Sequence, residues 1–96
     1  MDVEWDEAKA AANARKHGVT FEEAMSVFGD PFARVVDDPD HSHEEDRVLL
    51  IGLFSFGGLL IVSYTRREAR VRLISARRLT RRECIEYEQD SRRARG

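Results

Sequence analysis

Apolar positions recur along the chain with two different periods, and the change of period separates helical from extended regions. Ala8, Ala11 and Ala12 lie between Asp6, an N-cap residue type, and Gly18, a helix stop, so a short alanine-rich helix is predicted to run through Arg15 to Lys16-His17. Thr20-Phe-Glu-Glu23 has capping-box spacing and opens a second helix, with Phe21, Ala24, Met25, Val27 and Phe28 as its apolar stripe and Gly29-Asp30-Pro31 as its end. From Phe32 the pattern becomes strand-like. Phe32 to Val36 reads as a short strand, and Asp37 to Asp46 as a strongly acidic loop. Arg47 to Phe54 and Leu59 to Thr65 flank Gly57-Gly58 as the arms of a hairpin, because glycine supplies the positive φ that tight hairpin turns require. Arg66 to Ala69 turns the chain into a further strand, Arg70 to Arg77. A second capping box, Thr80-Arg-Arg-Glu83, starts a last helix carrying Cys84, Ile85 and Tyr87, which runs to about Asp90 ahead of a frayed basic tail over 91–96. The predicted order is α-α-β-β-β-β-α, an α+β fold with an antiparallel sheet packed against helices.

Composition narrows the setting. At 96 residues and 42% hydrophobic content the chain suits a single domain spanning 1–96. One cysteine, Cys84, excludes an intrachain disulfide, and the N-terminus lacks the basic and apolar regions of a signal peptide, so a cytoplasmic location is expected. Val48 to Thr65 carries no charge and approaches the length of a membrane span, but the central Gly-Gly pair makes it a hairpin, and no membrane partner is expected. The net charge of −2 conceals a division: residues 1–46 hold four Lys/Arg and thirteen Asp/Glu, while residues 47–96 hold twelve and five. Two readings stand side by side. The basic half meets phosphates, or the two halves pair across the fold.

Strand pleating places Val71, Leu73, Ser75 and Arg77 on one face of the fourth strand and Arg70, Arg72, Ile74, Ala76 and Arg78 on the other. Tyr64 and Arg66 share a face of the preceding strand. Arginines beside an aromatic ring suit RNA, since guanidinium groups pair with phosphate oxygens and a ring stacks on an unpaired base. Cleavage by an attacking 2′-hydroxyl needs a proton acceptor and cations for the developing phosphorane charge, and arginine serves only the second need. Lys16, His17, Tyr64 and His41 are the candidates for proton transfer, Arg72, Arg77 and Arg78 for contact with the reacting phosphate, and Arg47, Arg66, Arg70 and Arg81 for RNA binding. Each has a structural counterpart. Lys16 and His17 complement a helix dipole, Tyr64 fills a strand position, the paired arginines form a solvated edge, and Cys84 is a buried filler. His41-Ser-His43 contains metal-ligand types, but an isolated His-x-His in an acidic loop is weak, and no metal or cofactor is expected.

Several segments together carry a resemblance. They are Val-Glu-Trp-Asp-Glu-x-Lys near the start, Lys16-His17-Gly18-Val19-x-Phe21-Glu22-Glu23-Ala24, Val27-Phe28-x-Asp30-Pro31, His41-Ser42-x-x-Glu45-x-Arg47 and Tyr64-Thr65-x-Arg67. Arg72-Leu-Ile-Ser75-Ala76-Arg77-Arg78, Thr80-Arg81-Arg82-Glu83 and Tyr87-Glu88 complete the set. In this order and spacing the chain resembles the BrnT toxins of type II toxin–antitoxin systems, from about residue 3 to residue 88. The resemblance implies a RelE-like fold, ribonuclease activity that inhibits translation, and neutralisation by a BrnA-like ribbon-helix-helix antitoxin, through which alone the pair would reach operator DNA. A metal-independent RNA endonuclease is the leading expectation. A non-catalytic module that holds an antitoxin or a nucleic acid is the alternative, favoured by the absence of an unambiguous acid/base pair.

Overall fold

The computed structural model describes residues 2–36 and 47–95, with side chains as far as residue 90. In chain order the elements are β1 (Asp2–Glu4), α1 (Glu7–His17), α2 (Phe21–Met25) with a 3-10 turn (Ser26–Gly29), β2 (Arg34–Val36), β3 (Arg47–Leu53), β4 (Leu59–Arg67), β5 (Arg70–Arg78) and α3 (Arg81–Arg95). The five strands form one sheet in the order β1-β5-β4-β3-β2. Pairing is antiparallel except that β1 runs parallel to β5. The α+β class and the order of the helices follow the sequence expectation, and β1 is an addition that makes the sheet mixed.

Local signals explain most boundaries. Asp6 accepts a hydrogen bond from the Ala8 N–H at 2.8 Å, and Gly18 closes α1 in the left-handed region at φ 69°. The Thr20–Glu23 capping box is complete. The second helix is shorter than its apolar stripe suggested: α-helical geometry stops at Met25 and tightens into the 3-10 turn, where the Ser26 hydroxyl donates to the Glu23 carbonyl at 2.6 Å. Gly57 and Gly58 both take positive φ, within a connection in which Phe54 and Gly58 are also hydrogen bonded. The last helix runs to Arg95, through residues expected to fray. The His41-Ser-His43 segment lies outside the described residues.

α1 and α2 cover one face of the sheet. Val19, Phe21, Val27, Leu60, Val62 and Leu73 are at most 1% exposed and form the centre of the core, with Trp5 edge-on to Phe21. Burial of one such large side chain contributes roughly 1.5 to 3 kcal/mol. Gly52 sits beneath the 3-10 turn, where a Cβ would lie 2.9 Å from both Ala33 Cβ and Asp30 Oδ2.

One irregularity determines which arginines share a face. Ser63 pairs with Ser75, but the next residue, Tyr64, pairs with Leu73, so Ile74 is an extra residue in β5. Strict alternation, which grouped Arg77 with Val71 and Leu73, therefore fails. Before the bulge Val71 and Leu73 point into the core, whereas after it the buried residue is Ala76. The phase reverses. Arg77 consequently turns outward on the same side as Arg72, and Arg78 turns toward the helix side, its guanidinium 4.8 Å from the Phe54 ring centroid.

Asn13 of α1 clamps the strand just past the bulge. Its side chain donates to Ala76 O at 2.8 Å and to Val19 O at 3.0 Å, and accepts from Ala76 N at 3.0 Å. β1 pairs only with residues Arg70 to Arg72 of β5, so the amide of Asn13 acts as a strand partner where β1 has ended.

Candidate active site

The face of the sheet turned away from α1 and α2 collects cations. One row runs across four strands: Glu4 pairs with Arg72, Arg72 with Thr65, and Thr65 with Arg47. A second row holds Ser75, Ser63, Leu49 and Val36, and a third holds Arg77, Ile61, Ile51 and Arg34. The polar side chains at the centre lie low between longer neighbours, with Ser63 7% and Thr65 5% exposed. Thr65 Oγ1 is buried without a hydrogen-bond partner among the described residues.

All three outward arginines of β5 face a carboxylate. Arg72 Nη1 donates to Glu4 Oε2 at 2.9 Å, and Arg70 Nη1 lies 3.7 Å from Glu4 Oε1. These contacts join the acidic and basic halves of the sequence. Arg77 instead forms a fork with Glu83 at the start of α3, at 2.7 and 3.0 Å. The hydrogen bonds from Arg77, and secondarily the Thr80 N–H, outweigh desolvation and hold the Glu83 carboxyl down to about 2 from its ordinary 4.5. The same pairing raises the Arg77 guanidinium.

α3 crosses one end of this face. Tyr87 donates from its hydroxyl to the Phe32 carbonyl at 3.3 Å, and the Arg34 guanidinium stands 5.6 Å from the Tyr87 ring centroid. Between α3 and the strands lies a groove of about 160 Å³, lined by Arg34, Val36, Ile51, Glu83, Glu86 and Tyr87 among others.

The expected site residues are thus divided. Arg47, Arg70, Arg72 and Arg77 belong to the outer face. Arg66 is exposed and follows the parity of Tyr64, while Arg78 rests on Phe54. Arg81 is exposed at the start of α3. Lys16 and His17 end α1, in the helix layer. Tyr64 is 5% exposed and packs edge-on against Phe28 at 5.4 Å, so its ring belongs to the core and is not presented for stacking on a base. Arg34, Thr65 and Glu4 were missed. Only Glu4 had a usable signal, the acid-apolar alternation of Asp2-Val3-Glu4. Among the described residues no three His, Cys, Asp or Glu side chains are grouped as metal ligands, and no helix is long and apolar enough to cross a membrane.

Comparison with known proteins places this arrangement. The family model described as "Ribonuclease toxin, BrnT, of type II toxin-antitoxin system" matches residues 5–83. The chain belongs to the BrnT family. The crystal structure of the Brucella abortus ribonuclease toxin BrnT is similar, with a TM-score of 0.63 and 26% identity over 84% of this chain and 99% of that one. No curated protein sequence matches the chain. The BrnT match runs from Trp5 to Glu83, so it contains β2 to β5, the bulge and Glu83, while β1 with Glu4 precedes it and most of α3 lies beyond it.

Proposed function

We propose that the protein is a metal-independent endoribonuclease whose outer sheet face binds RNA, and that a ribbon-helix-helix antitoxin of the BrnA kind silences it by covering that face. The observation that carries the reading is the β5 bulge, which turns Arg77 to the side already occupied by Arg72 and so gathers Arg47, Arg70, Arg72 and Arg77 on one surface. Family membership supplies the class of activity. Guanidinium groups fit a phosphodiester in two ways: they bind its oxygens bidentately, and they stabilise charge that develops there during attack. Hydroxyls of Ser63, Thr65 and Ser75 between them add neutral donors. Cleavage of RNA in this scheme leaves translation without intact message.

The mechanism requires no metal because the arginines provide the positive charge that a divalent ion would otherwise provide. Incubation of the purified protein with single-stranded RNA, with and without chelator, tests this directly. Cleavage that persists in chelator supports the proposal, provided that arginine-substituted protein from the same preparation is inactive. RNA bound but left intact would favour a binding module. Silencing by occlusion makes antitoxin and RNA mutually exclusive, since a partner seated on the same cations competes with phosphate. Fluorescence anisotropy with a non-cleavable RNA should show its displacement by added antitoxin, and a stable ternary complex with unchanged RNA affinity would contradict occlusion.

A further inference from the structure

The outer face has cations in abundance, but the reaction also needs a group to accept the 2′-hydroxyl proton. Three of the candidates suggested by sequence do not meet the arginines, since Tyr64 is in the core and Lys16 and His17 end α1 in the helix layer, and the fourth, His41, lies outside the described residues. Two carboxylates do meet the arginines. Glu83 is engaged by both terminal nitrogens of Arg77 and by the Thr80 N–H, which makes it a weak base and a structural cap. Glu4 is held differently. Its side chain is 34% exposed, it contacts Arg72 through one oxygen at 2.9 Å, and among the described residues its other oxygen has only the more distant Arg70 at 3.7 Å.

Resting on the ribonuclease reading of this face, we infer that Glu4 is the general base of the reaction and that Thr65 is a phosphate-binding donor beside it. The parallel register of β1 on β5 sets Glu4 next to Arg72, and the antiparallel register of β5 on β4 sets Thr65 on the other side of the same arginine. Adjacent strands lie about 4.8 Å apart, so Glu4 and Thr65 are separated by about 10 Å along the row, room for one ribose-phosphate unit above Arg72. Thr65 Oγ1 provides an independent sign of a ligand at this place. It is a buried hydroxyl with no partner among the described residues, on the row between Arg72 and Arg47, and a phosphate oxygen there would accept its proton in a hydrogen bond.

The step balances without a co-reactant. A Glu4 carboxylate oxygen takes the 2′-hydroxyl proton as O2′ attacks phosphorus, the bond from phosphorus to O5′ breaks, and the leaving oxygen takes a proton from solvent. The products are a 2′,3′-cyclic phosphate and a 5′-hydroxyl. Arg72 has a double role: it orients Glu4 through Nη1 and offers its remaining N–H donors to the non-bridging oxygens.

The test is single-turnover cleavage of a labelled single-stranded RNA by the full chain and by Glu4→Gln, with binding measured separately on a fully 2′-O-methylated copy of the same strand. Glu4→Gln should cleave at least about a hundred-fold more slowly, as expected for loss of a general base. It should bind the methylated strand as tightly as the unsubstituted protein or more tightly, because it removes a negative charge. The acid limb of the pH–rate profile should vanish in this variant. Glu4→Asp, which keeps the charge facing Arg70 and Arg72 but shortens the arm, should restore part of the rate and retain that limb, and it serves if Glu4→Gln does not fold. Cleavage by Glu4→Gln within three-fold of the unsubstituted rate, or a Glu4→Asp rate with no change, would overturn the inference while leaving the ribonuclease reading intact. Unsubstituted protein that leaves the RNA whole would overturn both.

Discussion

Replacing Asn13 with alanine should destabilise the fold by about 2 to 4 kcal/mol, a large effect for a polar residue on a helix. The side chain makes three hydrogen bonds, two of them to the N–H and carbonyl of Ala76, and Asn13 itself is 6% exposed. Its removal leaves three buried backbone groups without partners, each costing about 1 to 3 kcal/mol, with the lower end favoured where water can enter the space vacated. Alanine's higher helix propensity offsets roughly 0.5 kcal/mol. Asn13→Asp separates hydrogen bonding from packing, because it preserves the shape but loses both donated bonds and should be at least as damaging at neutral pH. Urea denaturation followed by circular dichroism gives the free energies. A loss below about 0.5 kcal/mol in both variants would refute the reasoning, since an unmade buried hydrogen bond could not then be at stake.

Other consequences concern the rest of the site. Glu83 titrates lower in the folded protein than in the unfolded chain, so its pairing with Arg77 contributes stability above pH 4.5 that is lost as pH falls toward about 2. Glu83→Gln keeps a capping acceptor for Thr80 but loses the charge, and should lower stability at neutral pH by about 1 kcal/mol for this partly solvated pair, the deficit closing by about pH 2 in acid-titrated denaturation curves. Gly52→Ala forces its Cβ against Ala33 and Asp30 and should cost about 1 to 3 kcal/mol, read as a drop in Tm in a thermal melt.

Local chemistry made much of this structure legible in advance. Asp6, the Thr20–Glu23 box and the Thr80–Glu83 box each mark a helix start, because a cap depends on side chains within three residues of one another. The Gly57-Gly58 pair likewise marks its hairpin. What sequence did not reveal depends on partners far along the chain. β1 has only three residues and exists because β5 offers it an edge, and the signal in Asp2-Val3-Glu4 is too short to identify a strand without that edge. The bulge at Ile74 is invisible to a period-two reading, which assumes unbroken pairing, and one extra residue moved Arg77 from the predicted core face to the outer one. Tyr64 illustrates the converse. Its residue type points to chemistry, while its environment is set by Phe28, a residue 36 positions earlier in the chain.

The central claim is that one face of the sheet, and not the basic half of the chain as a whole, carries the activity. The most direct measurement compares two double variants that remove the same charge from opposite sides: Arg72→Ala with Arg77→Ala, and Arg66→Ala with Arg78→Ala, each assayed for RNA cleavage in chelator after circular dichroism has verified folding. Loss of one charge-assisted phosphate contact costs about 1.5 to 3 kcal/mol, or roughly ten- to a hundred-fold in rate. The outer-face pair should therefore cleave at least about a hundred-fold more slowly than the unsubstituted protein, and the other pair within about three-fold of it. Equal losses in the two variants, or undiminished cleavage by the outer-face pair, would contradict the account.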